Sequence, residues 1–238
     1  MSNVLIRKLA ALSPLAEDDR AFLASISANP QHIPADLDLI REGEVPSVVH
    51  LVISGLACRY KILPNGSRQI VAYLLPGDLC DLHVFILESM DHSIAALTDL
   101  QLVYISRQTI TEMLDRPAIS RALLLSALVD EATLREWLTN LGQRPAEQRL
   151  AHLFCELHMR MTTVGLVHDG VFDLPLTQTE LGDTAGLSTV HVNRSLQSLR
   201  EQGLIVFRSK RLTIPDIGRL RQVCSFRSNY LHLNYVEE

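Results

Sequence analysis

Apolar residues follow three different rhythms along the chain. Residues 1 to about 29 carry a helical spacing that stops near Asn29-Pro30. From about 31 to 106 the pattern changes to short apolar runs bounded by turn residues. VVHLVIS (48–54) precedes Gly55, ACRYKIL (57–63) precedes Pro64-Asn65-Gly66, and RQIVAYLL (68–75) precedes Pro76-Gly77-Asp78. SIAAL (93–97) and LQLVYIS (100–106) follow. The Asn-Gly pair between two alternating runs predicts a hairpin, because both residues accept positive φ at little cost. Many short strands at this spacing predict a closed or nearly closed β-barrel or roll.

After Ser106 the period becomes helical again. Leu124, Ala127, Leu134, Leu138 and Leu141 follow alternating steps of three and four, with Glu131 interrupting the set. Such a stripe on a long helix suits packing against a like helix. The alternative is that the helix covers its own β-domain, and both hold if different faces are used. Gly142 and Pro145 predict a stop and restart, and AEQRLAHLFCELHMRM (146–161) reads as a further amphipathic helix. TTVGLVHDG then reads as a loop.

LPLTQTELGDTAGLSTVHVNRSLQSLREQGLI (174–205) has the layout of a helix-turn-helix. Thr177 and Glu180 are spaced as a capping box, Gly186 supplies the turn, and Ser188 caps a second helix. Leu181, Ala185, Leu187, Val192 and Leu196 fall on the faces that must pack together, with Gly182 where the crossing is tightest. Thr189, Val190, His191, Asn193 and Arg194 are left for solvent or groove. Residues near the start of such a helix reach base edges in the major groove. Arg194 matches the two acceptors of guanine and Asn193 those of adenine, whereas Val190 offers apolar contact to a thymine methyl. Thr189 suits a phosphate equally well. LIVFRSKRLTI (204–214) reads as two strands joined by the basic turn Ser209-Lys210-Arg211, a wing for the flanking backbone.

Charge strengthens that reading. The chain has a net charge of −5, yet residues 187–222 carry seven arginines and lysines against two acids. Only one end is therefore built to approach phosphates. The four cysteines, Cys58, Cys80, Cys155 and Cys224, form no CxxC and are expected as reduced thiols of a cytoplasmic protein. The N-terminus is a poor signal peptide, no apolar run reaches membrane-spanning length, and no membrane partner is expected. No Gly-rich phosphate loop, nucleophile–base signature or catalytic metal motif appears, so no catalytic residue is assigned.

The order of β-roll, long helix and winged helix-turn-helix resembles the catabolite activator/fumarate-nitrate regulator family of bacterial transcription factors. The resemblance covers about residues 15 to 215. Its markers in the roll are REGEVPSVVHLVISG (41–55), the hairpin at 65–66 and LLPGDLCDL (74–82). It implies an α+β fold with a cyclic-nucleotide-binding-like jelly roll at residues 1–116. A dimerisation helix at 117–143 and a winged helix-turn-helix with a tail at 144–238 complete it. It further implies a homodimer on a two-fold-related double-stranded operator, with RNA polymerase as a candidate partner. The tail 225–238 extends beyond the family's usual end.

The departures are specific. Members that bind cyclic AMP use a glutamate for the ribose and an Arg-Ser or Arg-Thr pair for the phosphate. Aligned on Gly77-Asp78, those places are Leu82 and His92-Ser93. Leucine cannot accept the hydroxyl, and neutral histidine is a poor replacement for guanidinium, so an effector other than cyclic AMP, or none, is expected. Iron–sulfur members carry N-terminal cysteines, whereas none here precedes Cys58. Haem members place an axial histidine at His83, but their cysteine position is Asp81, with Cys80 one residue away. Haem on His83, a simple metal on Cys80, His83 or His92, another small molecule, and an empty rebuilt pocket are the alternatives. A rival reading is a haem- or ligand-binding sensor using His83 whose C-terminal domain contacts a protein. Where the well-known activator has Arg-Glu-x-x-x-Arg, this chain has Thr189, Val190 and Arg194, so a different half-site is expected.

Overall fold

The computed structural model describes residues 3–80, 82, 86 and 88–233. The helical N-terminal stretch divides into α1 (Val4–Ala10) and α2 (Glu17–Ile26). The Asn3 side chain caps α1 by accepting from the amides of Leu5 and Ile6. The break falls around Ser13-Pro14, where proline cannot extend a helix. Next come β1 (Gln31–Ile33), β2 (Asp38–Ile40), β3 (Val48–Ser54), β4 (Ala57–Ile62), β5 (Arg68–Leu74), β6 (Leu79–Cys80), β7 (Ser93–Ala96) and β8 (Leu100–Ser106). They form two four-stranded antiparallel sheets, ordered β1-β8-β3-β6 and β2-β7-β4-β5. The predicted roll is thus present. The β4–β5 hairpin forms with Gly66 at φ +84°, whereas Asn65 keeps a negative φ, so the glycine alone supplies the left-handed turn position. Val49, Leu51, Val52, Leu74, Ile94, Leu100 and Leu102 are buried in the roll.

A short helix that the sequence reading omitted, α3 (Arg107–Leu114), follows β8 directly. The Ser106 hydroxyl caps it, accepting from the Thr109 amide at 3.1 Å. Helix α4 (Pro117–Gln143) is the long helix. Its inner face buries Ile119, Ala122, Leu123, Ala132, Thr133, Trp137 and Asn140 against its own chain. Its other face exposes Leu124, Ala127, Leu128, Leu134 and Leu138. Leu141 differs from the expected stripe. It is half-buried, with its Cδ2 3.2 Å from where a Cβ on Gly186 would sit.

Helix α5 (Ala146–Thr163) was expected to be amphipathic but is buried almost all round, from Leu150 to Leu157 without a gap. The reason lies downstream. Helix α6 (Gln178–Ala185), α7 (Thr189–Glu201) and α8 (Ile217–Cys224), with a final 3-10 turn (Ser228–Leu231), complete the lobe that encloses it. Of these, α6, α7 and α8 pack directly on α5. The expected loop TTVGLVHDG leads into a strand that the sequence pattern did not mark, β9 (Val171–Asp173). It pairs with β11 (Arg211–Thr213), which also pairs with β10 (Val206–Arg208), so the wing has three strands.

Part of the tail that the sequence left unexplained is core. Phe226, Tyr230 and Leu231 are buried, and the Tyr230 hydroxyl donates to the Glu156 carboxylate at 3.1 Å. Residues 234–238 lie outside the described residues.

Candidate nucleic-acid interface

Three local devices place α7. Thr177 caps α6 in a reciprocal box, its hydroxyl accepting from the Glu180 amide while the Glu180 carboxylate accepts from the Thr177 amide. Gly186 ends α6 at φ +63° and ψ +42°, a left-handed conformation that favours glycine. A Cβ on Gly182 would lie 2.5 Å from the Leu187 carbonyl oxygen, so the crossing is tight where expected. Ser188 then caps α7 by accepting from the His191 amide.

Helix α7 separates its residues cleanly. Val192, Ser195, Leu196 and Leu199 are buried, whereas Thr189, Val190, His191, Asn193 and Arg194 are exposed. Arg194 makes no hydrogen bond or ion pair among the described residues. Val190, one turn before Arg194 on the same helix, leaves 58% of its surface exposed. The wing tip turns through Ser209 and Lys210, both at positive φ, and leaves Lys210 and Arg211 exposed. Arg211 Nε lies 3.3 Å from Asp173 across the wing, with both side chains largely exposed. Arg200, which sequence reasoning counted only as charge, donates to the Phe207 carbonyl at 3.0 Å and ties α7 to the wing. Thr177, whose place at the start of α6 also made it a candidate DNA contact, has its hydroxyl engaged in the capping box.

The β-roll grips this lobe through its hairpin. Tyr73 Oη lies 2.5 Å from Thr184 Oγ1, Arg68 Nε donates to Asp183 at 2.8 Å, and Gln69 donates to the Thr184 carbonyl at 3.2 Å. Deeper, Asp78 receives Lys8 from α1, the Leu75 amide at 2.8 Å and Arg160 from α5 at 2.9 Å. Arg160 also donates to Glu156 at 3.2 Å, and Trp137 Nε1 donates to the same carboxylate at 2.9 Å. Burial raises the Glu156 pKa, against the pull of Arg160 and its hydrogen-bond donors. Burial would raise Asp78 too, but the charges of Lys8 and Arg160 outweigh it and hold this carboxyl below its ordinary value. Nothing in the local sequence flagged this chain of charges, whose members Lys8, Asp78 and the α5 pair Arg160 and Glu156 come from three separate segments.

A cavity of about 470 Å³ lies between the roll and α4, bounded among the described residues by Arg59, Lys61, Tyr73, Leu82, His92 and Asp130, with others. Of the sequence candidates, Leu82 and His92 line it. His92 Nδ1 and Asp91 Oδ1 are 2.6 Å apart, a local bond that lowers the Asp91 pKa. Cys80 packs instead into the apolar core of the roll, and Ser93 Oγ accepts from the Glu42 amide at 3.0 Å. Asp81 and His83 lie outside the described residues, so the haem and metal alternatives on them have no geometry here. Among the described residues, no three His, Cys, Asp or Glu side chains cluster as metal ligands. No described helix is long and apolar enough to cross a membrane.

An exposed, basic-flanked second helix with a wing, carried on a cyclic-nucleotide-binding-like roll, defines a DNA-binding transcriptional regulator. Residues 148–223 match the Crp-like helix-turn-helix domain, and residues 30–117 match the cyclic nucleotide-binding domain. A probable transcriptional activator of Rhizobium leguminosarum bv. viciae is 30% identical over 197 residues, covering 81% of this chain and 80% of that protein. The transcriptional activator protein FnrL of Cereibacter sphaeroides is 29% identical over 187 residues, 76% of this chain and 75% of its own. The structure of FixK2 from Bradyrhizobium japonicum superposes with a TM-score of 0.70 at 26% identity, covering 82% of this chain and 96% of that one. The chain belongs to the Crp/Fnr family, whose members are transcription factors rather than enzymes.

Proposed function

We propose that the protein acts as a homodimer joined along α4 and reads two half-sites about one helical turn apart. Arg194 is its principal base reader. The observation that carries this is the division of α7, whose inner residues are buried while Arg194 stands exposed and without a partner among the described residues. Asn193 and His191 support base choice, and Val190 favours an apolar base edge. Thr189, Ser188, Lys210 and Arg211 hold the phosphate backbone, and Arg200 braces the wing. Thr177 acts through its cap rather than by direct contact. The exposed leucines of α4 support the dimer, since a row of this kind in water costs free energy until it is covered. Leu141 contributes through its contact at Gly186.

The sensory reading rests on the same logic. Leu82 and His92 stand where a cyclic nucleotide would need a carboxylate and a guanidinium, so the effector is not cyclic AMP, or none is required. The relatives named as activators support positive control, with RNA polymerase as the partner.

Selecting bound duplexes from a random pool, followed by titration at several salt concentrations, tests the whole reading. The expected product is a two-fold-related site whose affinity falls steeply with salt. Arg194→Ala should weaken that site by ~1–3 kcal/mol and relax one base position per half-site. Leu134→Asp with Leu138→Asp should yield monomers by sedimentation and abolish binding to the paired site. Unaltered selection by the Arg194 variant would overturn the base assignment.

A further inference from the structure

Two of the four thiols touch. Cys155 on α5 and Cys224, the last residue of α8, bring their sulfurs to 3.9 Å although 69 positions separate them. Both are free and fully buried. A disulfide needs about 2.05 Å between sulfurs, so closure asks for a relative movement of roughly 2 Å. That is within reach of side-chain rotation and a small shift of one helix end. Cys58 and Cys80 sit apart from this pair, in the β-roll.

The end of α8 is the place where such a shift is easiest. Ser225 follows Cys224 with φ +51°, and the chain then runs out toward its C-terminus through Phe226 and Tyr230. The last turn of a helix frays at lower cost than its middle. The environment also divides the two sulfurs. Hydrogen bonding from Cys155 lowers the Cys224 pKa, aided by the backbone at Phe226 and the charge of Arg144. Cys155 is pushed the other way by that same bond and by burial. Cys224, at the end of α8, is the sulfur that fraying of that helix end exposes first.

We propose that Cys155 and Cys224 form a reversible intrachain redox pair that a hydroperoxide converts to a disulfide. The Cys224 thiol gives up its proton, its thiolate attacks the terminal peroxide oxygen, the O–O bond breaks, and a sulfenic acid forms as the leaving oxygen takes up that proton and departs as water or alcohol. Cys155 then attacks the Cys224 sulfur, the S–S bond forms, the S–O bond breaks, and water leaves with the remaining proton. Two electrons pass from the thiols to the peroxide. The product fastens the end of α8 to α5, with Phe226 4.9 Å from His152 and Tyr230 bonded to Glu156.

The test uses the full chain, reduced and then treated with hydrogen peroxide, quenched, denatured and alkylated. The expected result is a loss of two alkylatable thiols of the four, an intact mass lower by two hydrogens, and one cross-linked peptide pair containing both cysteines. Dithiothreitol should restore all four thiols. The oxidised protein should melt on the order of 5 °C above the reduced one, because the bond closes a long loop. Cys224→Ala should retain three alkylatable thiols after the same treatment. Peptide mapping of the native sequence decides the matter even if that variant folds poorly. Four thiols surviving, a bond joining two chains through another cysteine, or Cys224 carried on to a sulfinic acid without pairing would each overturn the proposal.

Discussion

Helices α7 and α5 pack against each other, yet their polar residues have opposite surroundings. On α7 the polar positions near the start face solvent, and Arg194 has no partner among the described residues. On α5 the polar positions are walled in, with His152 and Glu156 fully buried. Glu156 collects Trp137, Tyr230 and Arg160, and Arg160 passes the connection to Asp78 and so to Lys8. His152 lies 3.1 Å from Asn140 and 4.9 Å, ring to ring, from Phe226. One helix holds its charge ready for an outside partner. The other uses charge to join the tail, the long helix and the roll. Identical side-chain chemistry therefore has different consequences according to whether the dielectric around it is water or protein.

The largest expected effect comes from breaking the buried side of this contrast. Glu156→Ala should cost about 3–5 kcal/mol in urea unfolding, because it strips the Trp137 and Tyr230 donors of their acceptor and takes one carboxylate from Arg160. If α5 were as tolerant as α7, the loss would stay within the ~0.5 kcal/mol typical of surface changes, and the comparison would fail.

A second effect appears with pH. Burial, with the charge of Arg144, pushes His152 down to about 3 from an ordinary 6.5. Between those values the unfolded chain binds a proton that the folded chain refuses, so stability falls as pH drops. The slope is up to ~1.4 kcal/mol per pH unit below 6.5. His158, also held down by burial, adds in the same direction. Glu156, raised by burial, works in the opposite direction as it takes up its proton. Unfolding midpoints compared at pH 7 and pH 5, where ordinary carboxylates remain ionised, should show a shallower slope in His152→Gln than in the native chain. Equal slopes would remove His152 from this role.

The smallest effect sharpens the exposed side. Thr177→Ala removes the cap of α6 and should cost ~1 kcal/mol of stability. Operator affinity measured well below the melting range should change far less than in Arg194→Ala. A base-pair-specific loss would instead mean that the Thr177 hydroxyl reaches DNA directly.

The two regions also differ in how far the chain itself announced them. Thr177 with Glu180, Gly186 and Ser188 lie within a dozen positions, and each acts on a backbone amide or dihedral close by. The tight approach at Gly182 was legible for the same reason. In the roll, Asn65-Gly66 and the alternating runs around it identified a hairpin, but not the register shift between Arg59 and Tyr60. The α4 stripe showed which face carries leucine, although Leu141 turned out to lie against the helix-turn-helix of its own chain. The pocket was only partly readable. Leu82 and His92 reach the cavity, but Cys80 points into the core because β6 pairs it opposite His50.

The α+β order, the place of the recognition helix and the basic character of one end were determined by the amino-acid sequence alone. Each depends on neighbours in the chain or on composition, and such forces act over a few residues. The complete burial of α5, the third strand of the wing, the docking of Phe226 and Tyr230, and the meeting of Cys155 with Cys224 were decided by tertiary structure. They join segments dozens of residues apart, and only a folded core brings such groups within bonding distance and removes the water that would otherwise satisfy them.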